Sequence, residues 1–120
     1  MIGKIENNEL DINAILPQME DPKKRNSATI LCDVIKASYN GARKTHIMYR
    51  SNLNPTILEK YLKFCLEHGL IEKEGIGYRA TSKGAELVRH IEEINSLKKN
   101  IETITRQAHR LIDTKNMNLK

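Results

Sequence analysis

A set of basic and short polar residues between positions 43 and 63 has the chemistry of a surface that binds a polyanion. Double-stranded nucleic acid is bound through cations on its phosphates, and its sequence is read by polar side chains on the base edges. The cations are Arg43, Lys44, Arg50, Lys60 and Lys63, and the short polar residues are Thr45, His46, Ser51, Asn52, Asn54 and Thr56. Because both kinds of side chain occur in one short segment, the sequence predicts contact with double-stranded DNA.

The first residues of this set lie where a helix is expected to begin, and they are Arg43, Lys44, Thr45 and His46. Free backbone N–H groups at a helix start attract anions, so Arg43 and Lys44 could hold one phosphate there. Alternatively, Thr45 only caps the helix and both cations are simply solvated.

The remaining residues belong to a turn and to the helix after it. Those expected to face outward from that helix, and therefore proposed for the major groove, are Asn54, Thr56, Lys60 and Lys63. Glu59 shares their face and could accept a hydrogen bond from a cytosine amine or discourage wrong sequences. In the turn, Arg50, Ser51 and Asn52 are expected to contact the DNA backbone, although Ser51 and Asn52 could instead satisfy helix ends.

No set of residues indicates catalysis or a cofactor. The phosphate-binding pattern G-x-x-x-x-G-K-[ST] and the nucleophile pattern G-x-S-x-G do not occur in the sequence. The four histidines lack the spacing with other ligands that a metal site needs. We therefore expect a protein that is not an enzyme, with no metal, no cofactor and no evident small-molecule ligand.

Length, charge and cysteine content agree with a small intracellular domain. The chain has 120 residues, 39% of them hydrophobic, and a net charge of +5, which favours a polyanionic partner. It contains neither an apolar run long enough for a membrane span nor an apolar signal segment, so we expect a cytoplasmic, nucleoid-associated protein. Cys32 and Cys65 lie among apolar residues and are expected to be reduced core thiols.

The elements that position the polar residues can be read from hydrophobic spacing. A first helix is expected to be capped by Asn26 or Ser27 and to stop at Asn40 and Gly41. A second is expected to begin near Thr45, whose hydroxyl can cap it, and a third to begin with the cap Asn54. The apolar stripe predicted for the third helix is Leu58, Tyr61, Leu62, Cys65 and Leu66. The tyrosines interleaved with apolar residues, which are Tyr49, Tyr61 and Tyr78, are expected to pack in the core.

Two further elements follow the third helix. Residues 70 to 80 read as a β-hairpin with a glycine turn, and its cations Lys73 and Arg79 are expected near DNA phosphates. Thr81 can cap a long helix from about residue 82 to 114. Its heptad-like spacing predicts a coiled-coil dimer interface at Ile94, Leu97, Ile101, Ile104, Ala108 and Leu111.

The segment GARKTHIMYRSNLNPTILEKYLKFCLEHGLIEKEGIGYRATSKGAELV resembles archaeal winged helix-turn-helix proteins, some of them small, dimeric and chromatin-associated. The similarity covers about residues 26 to 90 and is carried by K-T-x-I-M-Y and T-x-K-G. It implies a DNA-binding fold and, for the last helix, an antiparallel coiled coil. Departures are the first 25 residues and the acidic residues Glu72 and Glu74, which weaken the contribution expected from the hairpin.

The sequence as a whole predicts a mainly α-helical fold with a small β-hairpin, namely a winged helix-turn-helix followed by a long C-terminal coiled-coil helix. The expected divisions are a partly disordered extension at 1–25, the DNA-binding domain at 26–81, a dimerisation helix at 82–115 and a flexible tail at 116–120. The expected function is DNA binding by a homodimer, as a transcriptional regulator or a chromatin protein. The alternatives are a protein-interaction module and a regulator that responds to a ligand or to oxidation of Cys32 and Cys65.

Overall fold

The computed structural model describes residues 25–113 of the chain. They form four helices and one two-stranded antiparallel sheet, in the order α1 (Ser27–Ala37), α2 (Lys44–Ser51), α3 (Pro55–Glu67), β1 (Ile71–Glu74), β2 (Gly77–Ala80) and α4 (Ser82–Asp113). The predicted fold, mainly helical with a hairpin and a long last helix, is confirmed. The predictions for residues 1–24 and 114–120, including the partly disordered extension and the flexible tail, lie outside the described residues.

Helix α1 begins as predicted but ends earlier. The side chain of Asn26 accepts a hydrogen bond from the backbone N–H of Thr29 at 2.9 Å, which satisfies a free donor of the first turn. The helix ends at Ala37, before the predicted stop at Asn40 and Gly41. The Ser38 hydroxyl donates to the Ile35 carbonyl at 2.8 Å and closes the last turn, so the later glycine is not needed as a terminator.

Helices α2 and α3 form the helix-turn-helix. The prediction that Thr45 caps α2 is wrong: the cap position is Arg43, which makes no side-chain capping bond, and Thr45 lies within the first turn. Asn52 ends α2 in a left-handed conformation with φ of 56°. The predicted cap of α3 is confirmed, because Asn54 Oδ1 accepts from the backbone N–H of Ile57 at 2.8 Å.

The hydrophobic core of the described residues lies where α1, α2, α3, α4 and the hairpin meet. Its fully buried large side chains include Leu31, Ile35, Ile47, Leu58, Ile71 and Ile91. The predicted stripe of α3 is buried except for Leu66, which is 37% exposed, and Phe64 also joins the core. Among the tyrosines, Tyr61 and Tyr78 pack as predicted, but Tyr49 is 77% exposed because it lies on the side of α2 that faces away from Ile47.

The hairpin is held against the segment that precedes α2. Tyr78 exchanges two backbone hydrogen bonds with Ala42, both at 2.8 Å, which adds a short bridge beside β2. A Cβ atom at Gly77 would lie 2.5 Å from the Ala42 carbonyl oxygen, so only glycine permits this close approach. The sheet therefore brings the turn of the hairpin next to the start of α2.

Helix α4 begins against the end of α3. The Thr81 hydroxyl accepts from the backbone N–H of Gly84 at 3.0 Å, as predicted for the cap, and donates to the Gly69 carbonyl at 2.6 Å. At Gly84 itself, a Cβ atom would lie 2.1 Å from the carbonyl oxygen of Leu70. Val88 in the next turn is buried. The first turns of α4 thus pack tightly on the domain, and a glycine makes that packing possible.

Gly84→Ala is expected to lower the free energy of unfolding by about 1–3 kcal/mol, because the new methyl group must push α4 away from Leu70. Helix propensity alone predicts the opposite sign, since alanine is favoured over glycine inside a helix by about 1 kcal/mol. Urea unfolding of both proteins measures the difference, with the exposed neighbour substitution Lys83→Ala as control. A more stable Gly84→Ala protein would contradict the close approach.

Candidate nucleic-acid interface

The outward face of α3 carries the polar residues proposed for a groove. Thr56, Glu59 and Lys63 are exposed and Lys60 is partly exposed. Together with Leu62, Leu66, Glu67 and Tyr78 they line an open cleft of about 700 Å³ between α3 and the hairpin. The sequence placed these α3 residues on one face, and the structure adds Tyr78 of β2 as the opposite wall.

An ion pair joins α2 to this face. The Lys44 ammonium contacts the Glu59 carboxylate, and both side chains remain about half exposed, at 47% and 57%. From the sequence, Lys44 is expected to hold a phosphate or to be solvated, and Glu59 to accept from a cytosine amine or to discourage wrong sequences; a contact between the two is not predicted. The contact spans 15 residues of sequence, so no local pattern signals it.

The start of α2 forms a second, shallower pocket. Arg43, Thr45 and His46 line it together with Glu74 and Ile76 of the hairpin. Arg43 and His46 are exposed, and the start of an α-helix leaves backbone N–H groups without intrahelical partners. This arrangement suits a phosphate group that is approached by α2 and the hairpin together.

The two cations of the hairpin already have intramolecular partners. Arg79 Nε donates to both carboxylate oxygens of Glu74 at 2.9 Å, and this hydrogen-bonded carboxylate raises the pKa of the guanidinium. The Lys73 ammonium lies 5.7 Å from the centre of the Tyr78 ring. The exposed residue at the tip is the apolar Ile76. A phosphate must therefore compete with Glu74 for Arg79.

In the turn between α2 and α3, one of the side chains expected to contact the DNA backbone is buried. Ser51 is fully buried, so its hydroxyl does not reach a DNA backbone, whereas Arg50 and Asn52 are exposed. The Arg25 guanidinium contacts the Ser51 carbonyl and donates to Asp33 at 2.8 Å. The sequence did not indicate a role for Arg25, because Asp33 and Ser51 lie 8 and 26 residues away in the chain and only the fold brings all three together.

A third surface is the exposed stripe of α4. Ile91 is buried, but from Ile94 onward no side chain of α4 through Ile112 is buried. The exposed fractions of the large predicted seam residues are 38% for Ile94, 54% for Leu97, 52% for Ile101, 63% for Ile104 and 79% for Leu111. Ile112, at 68%, was not predicted and widens the stripe. About five turns of helix therefore present apolar side chains that the domain itself does not cover.

The winged helix-turn-helix family matches residues 24–99, which is more than half of the chain. The chain belongs to this family. In its terms, α3 occupies the position of the recognition helix and the β1–β2 hairpin is the wing. This match confirms the resemblance to archaeal winged helix-turn-helix proteins. Two similar proteins, both from archaea, are described next.

Two relatives place the chain within the family. An uncharacterized protein of Methanocaldococcus jannaschii, MJ0290, is 35% identical over 72 residues, which are 59% of this chain and 34% of that protein. The chain thus spans about a third of that relative's length. The crystal structure of Sso10a-2, a DNA-binding protein from Sulfolobus solfataricus, superposes with a TM-score of 0.61 at 26% identity and covers 68% of this chain and 90% of its own.

The winged domain contains no arrangement for a bound metal within residues 25–113, where no three His, Cys, Asp or Glu side chains come together suitably. None of the helices in that range has the length and apolar character required to cross a membrane.

Both thiols are free and buried. Burial raises the pKa of Cys65 to about 12, and burial with the nearby Glu92 raises that of Cys32 to about 11, so neither forms the thiolate needed for reaction near neutral pH.

The raised thiol pKa values predict a loss of stability in alkali. The folded state keeps both protons, whereas an unfolded thiol with a pKa of 9.0 loses its proton, so the unfolding free energy falls between about pH 9 and pH 11–12 and is unaffected below. Each thiol contributes a slope of about 1.4 kcal/mol per pH unit. Urea titrations from pH 8 to 10.5 measure it.

The matched control for the alkaline titration is Cys32→Ala, which removes one of the two groups. Its unfolding free energy is expected to fall less steeply with pH than that of wild type, because one of the two buried thiols no longer titrates. Identical pH profiles for the two proteins would contradict the burial of the Cys32 thiol in its protonated form.

Proposed function

We propose that this winged helix-turn-helix protein binds double-stranded DNA as a homodimer, with α3 inserted in the major groove of each half-site. The observation that carries the proposal is the uncovered polar face of α3, where Thr56, Lys60 and Lys63 line a cleft beside the wing. An α-helix with cations and short polar groups on one exposed face has the size and chemistry that the major groove accepts. The DNA-binding protein Sso10a-2, of similar fold, supports the same reading.

The side chains are proposed to act in two ways. Arg43, Lys44 and the first N–H groups of α2 hold a phosphate next to the groove, with Thr45 and His46 beside it. Arg50 and Asn52 meet the backbone at the other end of α2. On α3, Thr56 is near the leading end and is directed to base edges, whereas Lys60 and Lys63 neutralise phosphates. Asn54 acts mainly as a helix cap, and no side-chain contact is proposed for the buried Ser51.

The wing is proposed to contribute less than α3. Arg79 is paired with Glu74 and Lys73 lies over Tyr78, so each must leave a partner before it reaches a phosphate. Because these contacts are exposed and exchange readily with solvent, the wing cations are expected to add modestly to affinity and little to sequence preference.

The partner of the α4 stripe is proposed to be a second copy of this chain. The seam Leu97, Ile101, Ile104, Ala108 and Leu111 has the alternating four- and three-residue spacing that two helices bury together in a coiled coil. The described helix has 32 residues, hence a length of about 48 Å, which is more than one small domain can cover. An antiparallel arrangement follows only from the resemblance to archaeal relatives. Two linked domains would bind two half-sites and gain affinity through their connection.

The proposal is tested by titrating a duplex of random sequence and a pool of genomic fragments at several salt concentrations. A dimer that neutralises about six phosphates should show a slope of log K against log salt near −5 and lose roughly 10³-fold in affinity between 50 and 200 mM salt. Strong preference for particular fragments would favour a regulator, and uniform binding would favour a chromatin protein. Folded protein that fails to bind duplex at about 50 mM salt would refute DNA binding.

The second candidate is a protein-interaction module, and the exposure of Tyr49 favours it. An aromatic side chain 77% exposed on a helix surface is typical of a contact with another protein, as is the 75% exposed Ile76 of the wing tip. Tyr49→Ser would leave DNA binding intact if this side chain serves a protein partner. A loss of DNA affinity in Tyr49→Ser would instead assign it to the DNA interface.

A further inference from the structure

The ion pair between Lys44 and Glu59 has a consequence for specificity. We propose that Glu59 is a specificity-determining residue: its carboxylate holds Lys44 away from phosphates and makes binding to unselected DNA weaker than the cations of this face would otherwise allow. This inference rests on the proposed DNA binding. The carboxylate of Glu59 lies on the α3 face and contacts Lys44, a cation of the proposed phosphate site.

The position of the pair between two parts of the interface supports the proposal. Lys44 is the first residue of α2, beside the pocket proposed for a phosphate, and Glu59 lies in the second turn of α3 within the cleft. The side chains are 47% and 57% exposed, so DNA that enters the cleft reaches both of them. An approaching duplex must therefore rearrange this contact and cannot simply cover it.

Glu59 lowers DNA affinity first because it competes with a phosphate for Lys44. A phosphate that takes Lys44 gains one charge-assisted contact but breaks an exposed ion pair, which weakens each half-site by up to about fivefold relative to a free lysine. The pair thus offsets part of the sequence-independent affinity that phosphate contacts supply.

Glu59 lowers DNA affinity a second time because its carboxylate is unpaired once Lys44 contacts a phosphate. Once Lys44 has moved, Glu59 faces a groove of negative potential and needs a hydrogen-bond donor on a base edge. The amino groups of cytosine and adenine are the donors in the major groove, and a carboxylate is best matched by cytosine N4. Sequences that offer no such donor next to Glu59 leave a negative charge unpaired against DNA, so they bind more weakly. Glu59 therefore lowers the affinity for most DNA sequences, but not for the few that place a hydrogen-bond donor beside it.

The decisive variant is Glu59→Gln, which keeps the size of the side chain and removes its charge. Random-sequence duplex is expected to bind this variant about tenfold more tightly as a dimer near 50 mM salt, with a slope of log K against log salt steeper by up to about 0.9 per half-site. The ratio between the best selected duplex and random duplex is expected to fall. Thermal unfolding verifies that the variant is folded.

The matched control is Glu67→Gln, which removes the same charge from the same helix and the same cleft. A general charge effect would tighten binding in both variants equally, whereas the proposal expects a clearly larger gain for Glu59→Gln. A second arm repeats Glu59→Gln in a Lys44→Gln background, where the gain should shrink because there is no lysine to release.

Two results would overturn the inference while leaving DNA binding intact: equal gains in Glu59→Gln and Glu67→Gln, or an undiminished gain in the Lys44→Gln background. Binding by none of the folded proteins, wild type included, would overturn the proposed function and this inference with it. A gain confined to Glu59→Gln that depends on Lys44 would support the assignment.

Discussion

Ile101→Lys is expected to convert the proposed dimer to a monomer. Ile101 lies in the middle of the exposed stripe of α4, and in the proposed coiled coil it would meet the partner helix. The substitution places an unpaired cation in an apolar seam of both chains and removes a large apolar contact. The dimer dissociation constant is expected to rise on the order of 10²-fold or more. Light scattering at micromolar concentration measures the mass.

The control for that experiment is Thr103→Lys, which adds the same charge to an exposed position of α4 outside the seam. It should remain dimeric. Because the DNA-binding domain lies mainly before Ile94, Ile101→Lys should stay folded and bind DNA with the weaker affinity of a single half-site. A dimeric mass for Ile101→Lys, or a monomeric mass for wild type at the same concentration, would refute the coiled-coil dimer.

Lys60→Ala is expected to weaken binding to every duplex alike. If each half-site loses one phosphate contact, the salt slope flattens by about 0.9 per half-site and the affinity of a dimer falls on the order of 10²-fold near 50 mM salt. The stability of the fold should change little, because Lys60 is a partly exposed residue on the outer face of α3. Titrations against several duplexes at three or more salt concentrations separate these effects. Weaker binding to one sequence alone would assign Lys60 to a base edge.

Asn54→Ala provides the contrast, because it should act on the fold and leave the salt slope unchanged. Its side chain accepts from the Ile57 N–H at 2.8 Å, and the loss of such a cap costs about 1 kcal/mol of unfolding free energy. Equal stability of Asn54→Ala and wild type would contradict the capping role. Asn54→Asp, which preserves the acceptor, should restore most of the stability.

Most features that depend on neighbouring residues were determined by the sequence alone, although the predicted Thr45 cap and the predicted stop of α1 at Asn40 and Gly41 were wrong. The caps Asn26, Asn54 and Thr81 were predicted correctly because each bonds a backbone N–H three residues away. The glycine turn of the hairpin was likewise predicted correctly, since Gly75 takes the positive φ of 61° that the turn requires. The apolar spacing of α3 identified its buried side and therefore also its outward polar face.

Features that depend on contacts between distant residues were decided only by the tertiary structure. Ser51, expected either to contact DNA or to satisfy a helix end, is buried, whereas Tyr49, expected in the core, is exposed. Both lie on a helix of 8 residues, too short for hydrophobic spacing to define an inward side. Lys44 and Glu59 each have an exposed position that sequence spacing indicates, but their pairing depends on how α2 crosses α3. Periodicity reports which side of an element is apolar, and only the packing of elements determines which charges meet.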